Sequence, residues 1–195
     1  MKDKFFKDNL KNNYKDLNEI TLSKIKVTDL SFNNANLKKI EICDSKLLNF
    51  ELIKSKLEIC NFSNTEFENI FLKQSIIKNS KAIGASFAEG IIKNVKFKNN
   101  KISLSNFKFT NIENTIFEDC DIKNSDFQGA KIKNTSFISC DLSGVNFSQA
   151  EFKNIDLRKS NIQNAKIDLN NFKEITISPS QIIFIVNVLG LNVKN

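Results

Sequence analysis

The chain has 195 residues, of which 41% are hydrophobic and 26% charged, and its formal net charge is +7. It contains no His, the commonest general base and metal ligand, and no P-loop, nucleophile elbow or dinucleotide-binding motif. No apolar run reaches the ~20 residues needed to span a membrane, and the charged N-terminus lacks the apolar core of a signal peptide. We therefore expect a cytoplasmic, non-enzymatic protein that uses no cofactor, metal or membrane.

The first segment, residues 1–21, is charged and carries spaced large apolar residues, namely Phe5, Phe6, Leu10, Tyr14 and Leu17. Their spacing suits a short amphipathic helix or an irregular cap that covers the open end of a repeat structure. We predict an N-terminal cap over 1–21, with disorder of its first residues as the alternative.

One pattern governs residues 22–177. Every fifth residue from Val27 to Ile177, 31 positions in all, is Val, Leu, Ile, Phe or Ala, and these positions hold 12 of the 18 Phe residues. The position two residues earlier is mostly small. A period of five matches neither a helix nor an ordinary strand, so the sequence indicates a repeat protein.

The units from Cys120 to Asn154 read CDIKN, SDFQG, AKIKN, TSFIS, CDLSG, VNFSQ and AEFKN. They resemble the units of the pentapeptide-repeat proteins, which run small, polar, Leu or Phe, polar, polar. The resemblance implies an all-β fold, a right-handed quadrilateral β-helix with four units, and hence 20 residues, in each coil. Because the register of 22–177 has no insertion, we expect no protruding loops.

Each unit must turn a corner, and Asn tolerates the dihedrals that a corner needs. Asn stands two residues after the central apolar position at residues 34, 49, 64, 69, 79, 94, 99, 114, 124, 134, 154 and 164. With 20 residues in a coil, Phe87, Phe107, Phe127 and Phe147 should stack on one face, and Phe97, Phe117 and Phe137 on the opposite face.

Two features of the repeat leave alternatives open. Cys60, Cys120 and Cys140 occupy small positions, where we expect buried thiols, although Cys120 and Cys140 could also stack and form a disulfide. Ala82 replaces a large central residue and is followed by Gly84, Ala85 and Gly90. This weak coil indicates either a local packing adjustment or a functional kink.

The pattern changes after Ile177. Ser178 is a good N-cap, Pro179 suits the first helical position and Gly190 suits a stop, so residues 178–195 are predicted to hold a helix and a tail. The helix is apolar on nearly all sides, which predicts two partners, the last coil and a second copy of the chain. The predicted dimer interface consists of Ile182, Ile183, Phe184, Ile185, Val186, Val188 and Leu189.

The ending Ser178–Val193 resembles the quinolone-resistance (Qnr-type) and microcin-immunity branch of the pentapeptide-repeat proteins. Gln181, Leu189, Gly190 and Leu191 hold the matching places. The resemblance implies a tail-to-tail homodimer whose rod mimics DNA, binds a type II topoisomerase (DNA gyrase or topoisomerase IV) and protects it from quinolones or related toxins. DNA mimics of this kind are usually acidic, whereas this chain is basic.

The excess basic charge is concentrated on two of the four faces. One of these faces carries a column of lysines, Lys73, Lys93, Lys133, Lys153 and Lys173. The less basic side carries Asp121, Asp126 and Asp141, which we predict to contact the target. The alternative function is direct binding of a polyanion such as nucleic acid by the lysine column, although Phe71 and Phe109 are the only outward aromatics expected in the rod. A scaffold with neither activity is the third hypothesis, in which Lys only solubilises a β surface.

Overall fold

The computed structural model describes residues 16–188, without the side chains of residues 187 and 188; most of the predicted cap (1–15) and residues 189–195 lie outside it. The chain is a parallel β-helix of about eight turns that ends in a short helix. Residue i of one coil pairs with residue i+20 of the next, as in Phe97 with Phe117 and Phe117 with Phe137. The predicted four-sided β-helix without protruding loops is confirmed.

The strands are short because each side of a coil spans only five residues. They are β1 Asp16–Ser23, β2 Lys26–Thr28, β3 Ser31–Asn33, β4 Asn36–Cys43, β5 Lys46–Leu48, β6 Glu51–Ile53, β7 Lys56–Glu58, β8 Glu66–Glu68, β9 Phe71–Lys73, β10 Ile76–Lys78, β11 Ile91–Lys93, β12 Lys96–Lys98, β13 Asn111–Glu113, β14 Ile116–Glu118, β15 Lys131–Ile138, β16 Asn146–Phe147, β17 Glu151–Asp156, β18 Lys166–Ile167 and β19 Ile175–Thr176. The 3₁₀ helices Leu169–Glu174 and Pro179–Gln181 and the α-helix α1, Ile182–Val188, complete the described chain.

Four faces, named here by their central residues, enclose the core. Face A is centred on residues 32, 52, 72, 92, 112, 132 and 152, face B on 37, 57, 77, 97, 117, 137 and 157, face C on 22, 42, 62, 82, 102, 122, 142 and 162, and face D on 27, 47, 67, 87, 107, 127, 147 and 167. β15 turns the corner between faces A and B and pairs with β13 on one and β14 on the other. Faces C and D are built largely from isolated parallel bridges and tight turns.

Phenylalanine stacks fill the core as predicted. Phe117 is fully buried, and its ring lies 4.7 Å from Phe97 and 4.9 Å from Phe137, centroid to centroid. On face D, the Phe87, Phe107 and Phe127 rings stack at 4.7 and 4.5 Å. The corner prediction is also confirmed, since every predicted Asn corner has a φ between 47° and 58°.

An apolar cavity of about 40 Å³ lies beside Ala82. Coil pairing continues through this point, since the Ala82 amide donates to Lys101 O at 2.8 Å. A Cβ on Gly90 would meet Phe87 O at 2.8 Å, so the chain there is tightly placed. The weak coil is therefore a local packing adjustment rather than a break in the rod.

The two ends of the repeat differ from the sequence-based expectation. β1 begins at Asp16 and already pairs with β4 in the coil register, six residues before the predicted start. In the last coil we expected Phe172 to point inward, but Leu169–Glu174 is a 3₁₀ helix in which Asn171 is buried and Phe172 only half-buried. The reason is that Asn171 bonds the edge of the preceding coil, as described below.

All four cysteines are free thiols. Cys60, Cys120 and Cys140 are buried, as expected for small positions. Cys120 donates its S–H to Glu118 O at 3.3 Å, and Cys140 donates to Phe117 O at 3.4 Å. These thiols therefore have partners in the backbone and act as small core residues.

Candidate interaction surfaces

The three predicted target-binding acids lie on faces C and D. Asp121 and Asp141 stack one coil apart on face C, and Asp126 lies on the neighbouring face. Each carboxylate accepts a hydrogen bond from the backbone amide two residues later, at 3.3 Å for Asp121 and 3.0 Å for the other two. All three acids therefore stabilise the tight turns of their own units, a role that sequence reasoning missed.

Nearby lysines offset part of this negative charge. Asp126 pairs with Lys108 at 3.2 Å, and Asp141 pairs with Lys123 at 3.7 Å. Partial burial disfavours the charged form of Asp141, but hydrogen bonds from Ser143 and the charge of Lys123 outweigh it and lower the pKa of that carboxyl. The acids remain ionised, but the side of the rod that holds them is close to neutral.

The lysine column on face A is stacked as predicted over most of its length. Lys73, Lys93, Glu113, Lys133 and Lys153 pair in direct succession along the strands. The Glu113 carboxylate is shared by Lys93 at 3.3 Å and Lys133 at 3.6 Å. Within residues 16–188, Lys73 and Lys153 make no ion pair, so they keep their full charge.

Lys173 does not continue this column. It lies in the 3₁₀ helix Leu169–Glu174, and the next pairing of β17 is to Ile175 and Thr176. The predicted fifth member of the lysine column is therefore wrong, because the last coil leaves the repeat register at this point.

Face B is also basic, and its acids are enclosed by lysines. Glu118 pairs with Lys96 at 2.5 Å and with Lys98 at 2.6 Å, and these two ammonium groups lower its pKa to about 2. Glu58 is held in the same way by Lys56 and Lys78. Each such cluster has two cations for one anion, so strands of faces A and B form the basic side of the rod.

The C-terminal segment is joined to the last coil by Gln181. Its Nε2 donates to Leu157 O and to Ser160 O, both at 2.8 Å, and its Oε1 accepts the Ser178 amide at 2.7 Å. The predicted N-terminal signals are confirmed, since Pro179 opens the 3₁₀ helix and Ser178 precedes it. Gln181 therefore fixes the direction in which α1 leaves the rod.

Three further polar side chains complete the edge of the last coil. Asp168 accepts the Gln149 amide at 2.7 Å, and Glu174 accepts the Asn154 amide at 3.3 Å. Asn171 accepts the Phe152 amide at 3.2 Å and donates to Ala150 O at 2.9 Å. Sequence reasoning missed this group, although polar residues clustered at the end of the repeat were a usable signal.

The predicted dimer residues divide between two environments. Phe184 packs against the core of the rod, whereas Ile182 and Ile183 are 52% and 64% exposed. Ile185 and Val186 are half-buried. The Val188 side chain and Leu189 lie outside the described part of the chain.

Large apolar side chains at the corners of the rod were missed, apart from Phe109. Ile59, Leu104 and Phe109 all have a positive φ, between 56° and 61°, and Leu104 and Phe109 are 62% and 60% exposed. The register position two residues after a central residue could have identified them, because Asn and Gly suit that conformation far better. Phe71, the other predicted outward aromatic, is half-buried.

No group of three metal-binding side chains and no helix able to cross a membrane occurs within residues 16–188. The surfaces described above are therefore candidates for macromolecular contact.

Comparison of the sequence with family models matches the pentapeptide repeat region over residues 50–127 and 110–183. Comparison with curated proteins finds no significant match. Among solved structures, a trypsin-treated variant of QnrB1, a plasmid-mediated fluoroquinolone resistance protein, is 19% identical, with a TM-score of 0.46 and coverage of 91% of this chain and 100% of that one. HetL of Nostoc sp. strain PCC 7120, involved in heterocyst differentiation regulation, is 13% identical, with a TM-score of 0.35 and coverage of 83% and 89%. The family match spans more than half of the sequence, and the chain belongs to the pentapeptide-repeat family.

Proposed function

We propose that this chain is a dimeric, non-enzymatic rod that binds a type II topoisomerase and protects it from quinolones or related toxins. The observation that carries the proposal is the C-terminal closure of the rod. The segment that resembles the Qnr-type ending docks on the last coil through Gln181 and directs Ile182 and Ile183 outward. This geometry suits a tail-to-tail pair of rods joined by an apolar helix contact.

The dimer has its own test. Exposed isoleucines at the end of the rod lose contact with water when a second copy covers them, and a charge placed there is costly. Ile183→Asp should therefore give a soluble monomer in sedimentation velocity, whereas Ile91→Asp, at an exposed site on face A, should leave the dimer intact. A monomeric wild type at micromolar concentration would contradict the proposal.

The proposed topoisomerase contacts are the acids of faces C and D. Topoisomerases bind DNA through positive surfaces, so a mimic must offer negative charge and keep the lysine column toward solvent. Asp121, Asp126 and Asp141 offer that charge. Asn occupies the same places in other coils and bonds the same turn amide, as Asn161 does with Gln163 at 3.1 Å. Asp→Asn changes therefore remove the charge and keep the turn.

The decisive experiment is a gyrase supercoiling assay in the presence of a quinolone, with this protein titrated in. Wild-type protein should restore supercoiling. The triple variant Asp121→Asn, Asp126→Asn, Asp141→Asn should need at least tenfold more protein, equivalent to about 1.4 kcal/mol, and Lys133→Glu with Lys153→Glu should protect as well as wild type or better. An inert wild type would refute the topoisomerase proposal.

A second candidate function is direct binding of nucleic acid by faces A and B. It is favoured by the stacked column Lys73, Lys93, Lys133 and Lys153, in which Glu113 is the one carboxylate. Fluorescence anisotropy on duplex DNA should then show affinity falling steeply with salt, and Lys153→Ala should lower that salt slope by about one. Lys123→Ala on face C is the matched control, and undetectable binding at low salt would exclude this function.

A further inference from the structure

Leu104 and Phe109 occupy consecutive corners of one coil, at the two edges of face D. Both have left-handed backbone, with φ of 61° and 56°, and both are among the most exposed apolar side chains of residues 16–188. Other corners of the rod hold mainly Asn, Asp, Gly or Lys. A bulky residue at positive φ is strained, and its exposure to water brings no compensating burial. The fold alone therefore gives no reason for Leu and Phe at these corners.

The Phe109 ring also has a fixed place. It lies over the backbone of Gly129, where a Cβ would come within 2.5 Å of Phe109 Cε1. Gly129 shares the positive φ of its column, at 67°. The absence of a side chain at Gly129 makes room for the ring, so Phe109 is held against the rod with most of its surface still in water.

The surface between these two corners is nearly free of charge. The outward positions of face D over four coils are Ser86, Ala88, Asn106, Lys108, Asp126, Gln128, Asn146 and Ser148. The only two charged groups in this set, Lys108 and Asp126, pair with each other at 3.2 Å. The matching positions of face A hold six charged residues out of eight, namely Lys93, Glu113, Lys131, Lys133, Glu151 and Lys153.

A neutral surface of small and amide side chains with an ordered aromatic at its edge has the composition of a protein interface, in which charge is depleted and aromatics are enriched. It lacks the positive charge that a nucleic acid requires. We propose that face D, with Leu104 and Phe109 at its edges, is the docking surface for a folded protein whose contact region is uncharged and accepts an apolar side chain. The inference rests on the proposed function in taking that partner to be the topoisomerase.

The test exploits the strain at the corners. Asn is the commonest residue at these positions, so Leu104→Asn with Phe109→Asn should leave the rod as stable as wild type or more stable, with an equal or higher urea midpoint. The same variant should need at least tenfold more protein to protect gyrase from a quinolone. Ile59→Asn is the matched control, because it relieves a corner of the same kind, with φ of 57°, between faces B and C. It should protect as well as wild type.

Salt separates this contact from the acids of the mimicry proposal. An apolar contact is little affected by ionic strength, so the ratio between the double variant and wild type should stay constant between about 50 and 200 mM salt. A double variant that protects gyrase like wild type would overturn the inference and leave the topoisomerase proposal standing. A wild type without protection would overturn both. A sedimentation coefficient lowered by Leu104→Asn with Phe109→Asn would assign the surface to self-association and also overturn the inference.

Discussion

Gln181 completes the last coil in place of a backbone amide, since its Nε2 donates to the carbonyl oxygen of Ser160 at 2.8 Å. In the preceding coils the equivalent carbonyl accepts the backbone N–H 21 residues later, as Cys140 O does from Asn161. Position 181 is 21 residues after Ser160, but its own backbone N–H bonds Ser178 O. A side chain thus ends the β-helix while keeping its hydrogen bonds.

This relationship predicts a stability loss on truncation of the side chain. Gln181→Ala leaves the carbonyls of Leu157 and Ser160 without their donor in a buried site, which should cost about 1–3 kcal/mol. Hydrogen exchange should report increased opening of the last coil and unchanged protection around Phe117. Gln163→Ala, at an exposed site one unit later in the same coil, is the control and should change neither measurement. Equal behaviour of the two variants would contradict a closing role for Gln181.

The Phe stack allows a comparison of the same truncation in two environments. Phe117→Ala removes a fully buried ring from between Phe97 and Phe137 and should cost about 3–5 kcal/mol. Phe172→Ala removes a half-buried ring and should cost clearly less. Urea denaturation monitored by circular dichroism measures both, and a smaller loss at Phe117 would contradict the packing described here.

The five-residue period was enough to predict the core and the corners, because burial and left-handed backbone both select residue types directly. Phe117 and Asn124 could be placed from sequence on this ground. The role of Asp121 could not, since an Asp that caps a turn and an Asp that contacts a partner look alike in one sequence. The closure by Asp168 and Asn171 was hidden because Phe172 keeps the five-residue period although the backbone leaves it.

The cavity beside Ala82 predicts a stabilising substitution. Neighbouring coils hold Phe62 and Ile102 at the equivalent position, so Ala82→Ile fills existing space and should raise the free energy of unfolding by about 0.5–2 kcal/mol. The control is Ala130→Ile, at a fully buried small position, where overpacking should cost about 1–3 kcal/mol. If both substitutions destabilise the protein, the cavity is not open to a larger side chain.

The final prediction concerns the acid stability of the basic side. The pKa of Glu118 falls from 4.5 to about 2 because Lys96 and Lys98 donate to its carboxylate. A lowered folded-state pKa means that the unfolded chain binds the proton more readily, so the stabilisation is complete above about pH 4.5 and is lost as the pH falls toward about 2. Glu118→Gln should therefore lower the urea midpoint at pH 7, and the difference from wild type should shrink over this range. Glu151→Gln, whose exposed carboxylate lies 3.6 Å from Lys131 alone, should differ little from wild type at any pH. A Glu118→Gln difference that persists unchanged at pH 2 would assign the effect to packing rather than to charge.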